Sequence, residues 1–152
     1  MGYGLWARRK ATTVAEMIGW LRDQTIFLNA MGDFKKLDVW QVAHKVACDV
    51  YRETVAFPKT EAYGLTSQLR RSAASVPANL AEGCGRRGDA EFSRYVRISL
   101  GSATELEYHL LLSRDIGLLP PSSFDSLSAD VLRMQGMLAG LHRTLKRARS
   151  CP

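Results

Sequence analysis

The sequence predicts an all-α protein, an antiparallel up-and-down four-helix bundle whose second helix is kinked at a proline. Four segments of similar length repeat apolar residues at helical spacing. Short breaks rich in glycine and proline separate them, and short connections make sequential helices antiparallel neighbours. No segment alternates apolar and polar residues over a useful strand length. With 152 residues, 46% hydrophobic and 24% charged, the chain holds one ordinary core and needs no second domain for it.

Residues 1–30 read as an N-terminal extension. Val14, Ile18, Leu21, Thr25 and Leu28 share one helical face, which suits a helix for a partner or a membrane surface. Met31-Gly32-Asp33 restarts the chain just before a cleaner pattern, which favours an extension from an upstream start codon. The bundle domain is expected over residues 31–148. Its first helix runs from about Leu37 to Val55, with Trp40, Ala43, Ala47, Val50, Tyr51 and Thr54 on one side, and Phe57-Pro58 stops it.

The second helix covers about Ala62 to Glu82, with Leu65, Leu69, Ala73 and Val76 facing inward. Pro77 ends or kinks it, because its ring removes a donor and clashes with the preceding turn, and Gly83, Gly85 and Gly88 mark the exit. The third starts at Asp89 as a cap and buries Phe92, Val96, Ser99, Ala103, Leu106, Leu110 and Ser113. Ser99, Gly101, Ser102 and Ala103 make a small-residue waist where another helix comes close. After Gly117 and Pro120-Pro121, the fourth helix carries a heptad seam through Phe124, Leu127, Val131, Met134, Leu138, Leu141 and Leu145.

The net charge of +6 points to an anionic partner, and its distribution limits that reading. Residues 31–141 carry 13 basic and 13 acidic residues, so the excess belongs to the ends, with Arg143, Lys146, Arg147 and Arg149 unopposed in the last eleven positions. Those cations also complement the dipole at the end of the fourth helix. Cys48, Cys84 and Cys151 fit neither a disulfide framework nor a zinc motif, which suits a reducing, cytoplasmic setting. No long uncharged apolar run suggests a membrane span.

The ordered run Phe34-Lys35-Lys36-Leu37-Asp38-Val39-Trp40-Gln41, Tyr51, Thr54, Phe57-Pro58, Glu61, Tyr63-Gly64-Leu65, Ser67-Gln68-Leu69-Arg70-Arg71, Val76-Pro77-Ala78-Asn79-Leu80-Ala81-Glu82-Gly83, Gly101-Ser102 and Glu105-Leu106-Glu107 resembles the four helix bundle proteins encoded by intervening sequences of bacterial 23S rRNA genes. It is similar, more distantly, to the accessory variability determinant proteins of diversity-generating retroelements. The resemblance covers about residues 33–145. It implies an up-and-down bundle assembled into a homopentamer and no enzymatic activity. For the retroelement relatives it implies binding to nucleic acid and to a reverse transcriptase. Around such a ring, the C-terminal cations of five subunits would sum to a collar of about +20, a field that attracts polyanions.

Candidate sites follow with two readings each. Arg70 and Arg71 suit phosphate contact or ion pairing with Glu82, Glu105 or Glu107. Arg86 and Arg87, in a glycine-flanked loop, suit a phosphate backbone or a solvated loop. Asn79 is placed to satisfy the carbonyl that Pro77 frees, and Glu82, if turned inward, needs a cation such as Arg70. Pro77, Asn79, Glu82, Gly83 and Glu105 are thus expected to be structural. Glu105, Glu107 and His109 are spaced by four and two residues, not the three of a Glu-x-x-His metal motif, and His44 and His142 stand alone. No metal or cofactor is expected, and no Cys, His and acid arrangement has a recognisable catalytic context. Two functions are expected from these readings: electrostatic binding of structured RNA or DNA without sequence readout, or a structural adaptor for a protein such as a reverse transcriptase.

Overall fold

The computed structural model describes residues 33–86 and 88–149, apart from the side chains of Ala148 and Arg149. Residues 1–32 and Arg87 lie outside the described residues, and with them the expected extension. Four helices make up the domain: α1 (Asp38–Glu53), α2 (Leu65–Gly85), α3 (Asp89–Asp115) and α4 (Pro121–Arg149). Each packs on the next, and α1 closes against α4. Falling residue numbers along each contact show the antiparallel order: Ser75 meets Ser102 and Arg71 meets Glu105 between α2 and α3, while Ser93 meets His142 and Glu107 meets Gln135 between α3 and α4. No strand occurs among the described residues.

The core holds the expected stripes. All seven α3 positions are buried, and Val131, Met134, Leu138 and Leu145 of the α4 seam are fully inside. α1 differs. Val39 and Val46 are buried, because this short helix touches both α2 and α4 and needs a broader apolar face, whereas Tyr51 is 47% exposed.

Helix ends are set locally. Asp33 accepts a hydrogen bond from the Lys35 amide and caps a short 3-10 turn, Phe34–Lys36, ahead of α1. Glu61 Oε2 takes the Leu65 amide at the start of α2, and Gly64 permits it, because a Cβ there would stand 2.7 Å from that oxygen. Gly88 (φ 94°), not Asp89, is the cap of α3; Asp89 and Glu91 fall in the first turn, where their charge faces the positive end of the helix dipole. Gly117 (φ 77°) closes α3, and the Leu118 and Leu119 amides return to the Ser113 carbonyl.

Pro77 does not end α2, which continues through it to Gly85. Neighbouring side chains hold the backbone around it. Asn79 Nδ2 donates to the Ser75 carbonyl at 2.7 Å, Ser99 Oγ to the Val76 carbonyl at 3.1 Å, and Trp40 Nε1 to the Pro77 carbonyl at 3.1 Å. Asn79 therefore does not reach the carbonyl of Ala73, the one that the proline frees; the side chain bends back one turn onto its own helix. Donors from α1 and α3 add to the same stretch, so two consecutive carbonyls, those of Val76 and Pro77, tie α2 to its neighbours. The waist of α3 is narrower than expected: Ser99, Ser102 and Ala103 face α2, and Gly101 is exposed.

Gly83 is not an exit but a contact inside the bundle. A Cβ there would lie 2.7 Å from Tyr95 Cβ and 2.9 Å from Phe92 Cδ2. The bare backbone lets α3 come against α2 at this level.

Candidate nucleic-acid interface

The up-and-down topology brings four distant stretches of sequence to one end of the bundle: the start of α1, the end of α2, the start of α3 and the end of α4. Eight described basic side chains gather there, Lys35, Lys36, Arg86, Arg94, Arg97, Arg143, Lys146 and Arg147, against five acids, Asp33, Asp38, Glu82, Asp89 and Glu91. The rest of the described bundle has seven basic and eight acidic side chains, so the positive excess sits at this end.

Two sets of arginines within the cluster, Arg86 with Arg94 and Arg97 with Arg143 and Arg147, differ in how they are held. Those at the α2–α3 junction are tied into a network around Tyr95, which Gly83 seats. The Tyr95 hydroxyl donates to Glu82 Oε1 at 2.7 Å, and Arg86 pairs with the same oxygen at 2.6 Å. These contacts, Arg86 first, hold the Glu82 carboxyl below its usual range, and Glu82 in turn raises the Arg86 pKa. Arg94 lies 4.6 Å over the Tyr95 ring and pairs with Glu91 at 3.2 Å. Glu82 thus faces out and takes Arg86, one turn on, not Arg70, which stands about 18 Å back along α2. The second set has no such tie: among the described residues no carboxylate pairs with Arg97, Arg143 or Arg147. All three are exposed, and Arg143 and Arg147 stand one turn apart on α4, with Lys146 between them.

Arg70 and Arg71 lie away from this end and are engaged internally. Arg70 Nε donates to Thr54 Oγ1 at 2.8 Å, with its guanidinium 5.0 Å over the Tyr51 ring. Its partners are a hydroxyl and a ring in place of the expected carboxylates, since α2 presents it to the end of α1. Arg71 pairs with Glu105 and with Gln68 Oε1 at 2.7 Å, so Glu105 joins α3 to α2. Arg87 and the Arg149 side chain lie outside the described residues.

Sequence reasoning missed Arg94, Arg97, Tyr95 and the lysines before α1. The i, i+3 spacing of Arg94 and Arg97 was visible, but only topology sets them beside the α4 cations. His142 does not stand alone either: its Nδ1 lies 3.1 Å from Ser93 Oγ, in hydrogen-bond contact. Of the Glu105, Glu107, His109 group, Glu105 takes Arg71 and Glu107 takes Gln135, burial lowers the His109 pKa, and no three His, Cys, Asp or Glu side chains among the described residues form a metal cluster. No helix among the described residues is long and apolar enough to cross a membrane.

Fold and charge together define an all-helical antiparallel bundle protein whose positive excess, among the described residues, sits at one end. The chain belongs to the 23S rRNA-intervening sequence protein family, whose model matches residues 35–140. In fold it is similar to the crystal structure of a protein with unknown function from the S23 ribosomal protein family of Bacteroides thetaiotaomicron, with 22% identity, a TM-score of 0.63, and coverage of 69% of this chain and 98% of that one. No curated protein matches the sequence.

Proposed function

We propose that this is a non-enzymatic, cytoplasmic protein that binds RNA or DNA through the phosphate backbone, without reading sequence, at the basic end of its bundle. The observation that carries the reading is the gathering of eight cations at that end, with Arg97, Arg143 and Arg147 left without carboxylate partners. Arg86 supports the surface at one remove, since Glu82 already offsets its charge, and Arg87 and Arg149 add charge beside it in sequence. Arg70 and Arg71 act as internal ties. Assembly of the bundle domain, residues 31–148, into a homopentamer repeats the basic end five times and turns a modest charge into a polyanion-binding field.

A second reading keeps the same end and adds a protein partner. Among the described residues, six of the eight exposed large apolar side chains, Tyr51, Val55, Tyr63, Tyr108, Leu111 and Ile116, lie toward the opposite end. Such a surface suits a protein partner, a reverse transcriptase-like chain among them, with the ring as scaffold.

Filter binding of several RNA and DNA sequences at three salt concentrations tests the first reading. If Z phosphates are neutralised, log affinity falls against log salt with a slope of about −0.9Z on duplex and about −0.7Z on single strands, alike across sequences. Gln at Arg97, Arg143 and Arg147 flattens the slope. Absence of salt-dependent affinity for any of these nucleic acids leaves the adaptor reading in its place.

A further inference from the structure

The start of α1 carries a ladder of rings beside two lysines. The Phe34 and Trp40 ring centroids lie 4.8 Å apart with the planes tilted by 59°, and the His44 imidazole stacks on the Trp40 ring at 5.0 Å with 6° between the planes. Trp40 and His44 are one turn apart on the same face of α1, which sets that spacing. The indole is held in the ladder from α2, because Trp40 Nε1 donates to the Pro77 carbonyl at 3.1 Å.

One end of the ladder is open. Phe34 is half-buried and has Lys35 Nζ 5.9 Å over its ring, whereas His44 is exposed. Trp40 covers one face of the imidazole, and the His44 Nε2 edge lies 3.7 Å from Cys48 Sγ. No other ring meets His44 among the described residues, so its second face is presented outward.

The charge beside the ladder is positive. Lys35 and Lys36 are exposed, and no carboxylate among the described residues pairs with either. Gln41 Nε2 donates to the Lys35 carbonyl at 3.0 Å and Asp33 accepts from the Lys35 amide, so the turn that carries both lysines is fixed to α1. Asp38 offsets part of this charge, while Asp49, the next acid along α1 after His44, is taken by Lys45 and Arg52.

We propose that His44 is a stacking platform for one unpaired base of a single-stranded nucleic acid, with the adjoining phosphates on Lys35 and Lys36. The inference rests on the phosphate-binding reading above and narrows its ligand. A cationic surface alone holds duplex and single strand alike, but a flat ring with one open face adds affinity only for a base that has left the helical stack. Trp40 already holds the imidazole in place, so little rotamer freedom is lost when the base lands on it. Every base has a π-face, and the contact therefore reads no sequence.

Fluorescence anisotropy on the full chain at one salt concentration tests this with a labelled thymidine strand, the same backbone without bases, and the thymidine strand paired with its adenine complement. A uridine strand repeats the first probe in RNA. The base-bearing single strand is expected to bind about fivefold or more tightly than the abasic one, the low end for stacking one base on an aromatic side chain. His44→Ala removes that difference and changes abasic and duplex binding by about twofold or less, whereas His44→Phe, which keeps a flat ring, keeps the difference. Circular dichroism is unchanged in both variants, since the replaced side chain is exposed. Equal affinity for the base-bearing and abasic strands, or an equal loss on every probe in His44→Ala, would overturn this inference and leave the phosphate-binding reading standing. Absence of affinity for all the probes would overturn both.

Discussion

Replacing Leu138 with Asp removes the cooperative thermal transition or lowers it to near ambient temperature. Leu138 is fully buried at the centre of the α4 seam, against Val131, Met134 and Leu145 of the same core. A carboxylate there has no partner and either stays charged in an apolar site or takes up a proton; both routes cost several kcal/mol. That is roughly the whole stability of a marginal domain of about 5 kcal/mol. Circular dichroism against temperature reads the effect. Leu132→Asp on the same helix is the control: Leu132 is 56% exposed, and its change stays within about 0.5 kcal/mol. Equal melting of the two variants would mean that the seam is not the core.

The second large effect falls on Gly83. Gly83→Val drives its branches into Tyr95 Cβ and Phe92 Cδ2, which already lie under 3.0 Å from where a Cβ would sit. Tyr95 Cβ is attached to the α3 backbone, so relief requires α3 to move away from α2. Overpacking of this kind costs about 2–3 kcal/mol and outweighs any gain in helix propensity. The shift also pulls the Tyr95 hydroxyl from Glu82 and loosens the junction from which Arg86 and Arg94 project. Gly101→Ala moves the other way, stabilising by up to about 1 kcal/mol, because nothing lies within 4 Å of its Cβ position. Urea melts of both variants give the two signs, and a stabilised Gly83→Val would show that the helices are not in close contact there.

The helices were legible because their periodicity is strong: the α3 stripe from Phe92 to Ser113 is buried at every position read from the sequence. α1 was less so, since Tyr51 fits the inward spacing but sits at the helix end, where it covers Arg70 from outside. Pro77 was legible as a proline inside a helix that runs on to about Glu82, and α2 does run on, to Gly85. What the sequence of one helix does not display is the tertiary support around it, the contacts from Trp40 and Ser99.

The candidate interface was legible only in pieces. Arg86 and Arg143 are far apart in sequence, and the fold brings them to the same end of the bundle; periodicity gives helices but not which charges share an end. The partners of Arg70 and Arg71 depended equally on what lay across the groove. Nor does His44 stand alone: Cys48 follows it at i+4, and His44 Nε2 lies 3.7 Å from Cys48 Sγ.

Charge reversal at the two ends tests the central claim most directly. Fluorescence anisotropy with one labelled RNA and one labelled DNA duplex, at a fixed salt near 0.1 M, compares Arg143→Glu with Arg147→Glu together against Arg52→Glu with Lys59→Glu together. Both pairs are exposed, and they lie at opposite ends of the bundle. The basic end as binding surface predicts a loss on the order of 100-fold for the first pair and a change of about threefold or less for the second, with circular dichroism unchanged in both. Equal losses from the two ends, or a larger loss from Arg52 and Lys59, would contradict it.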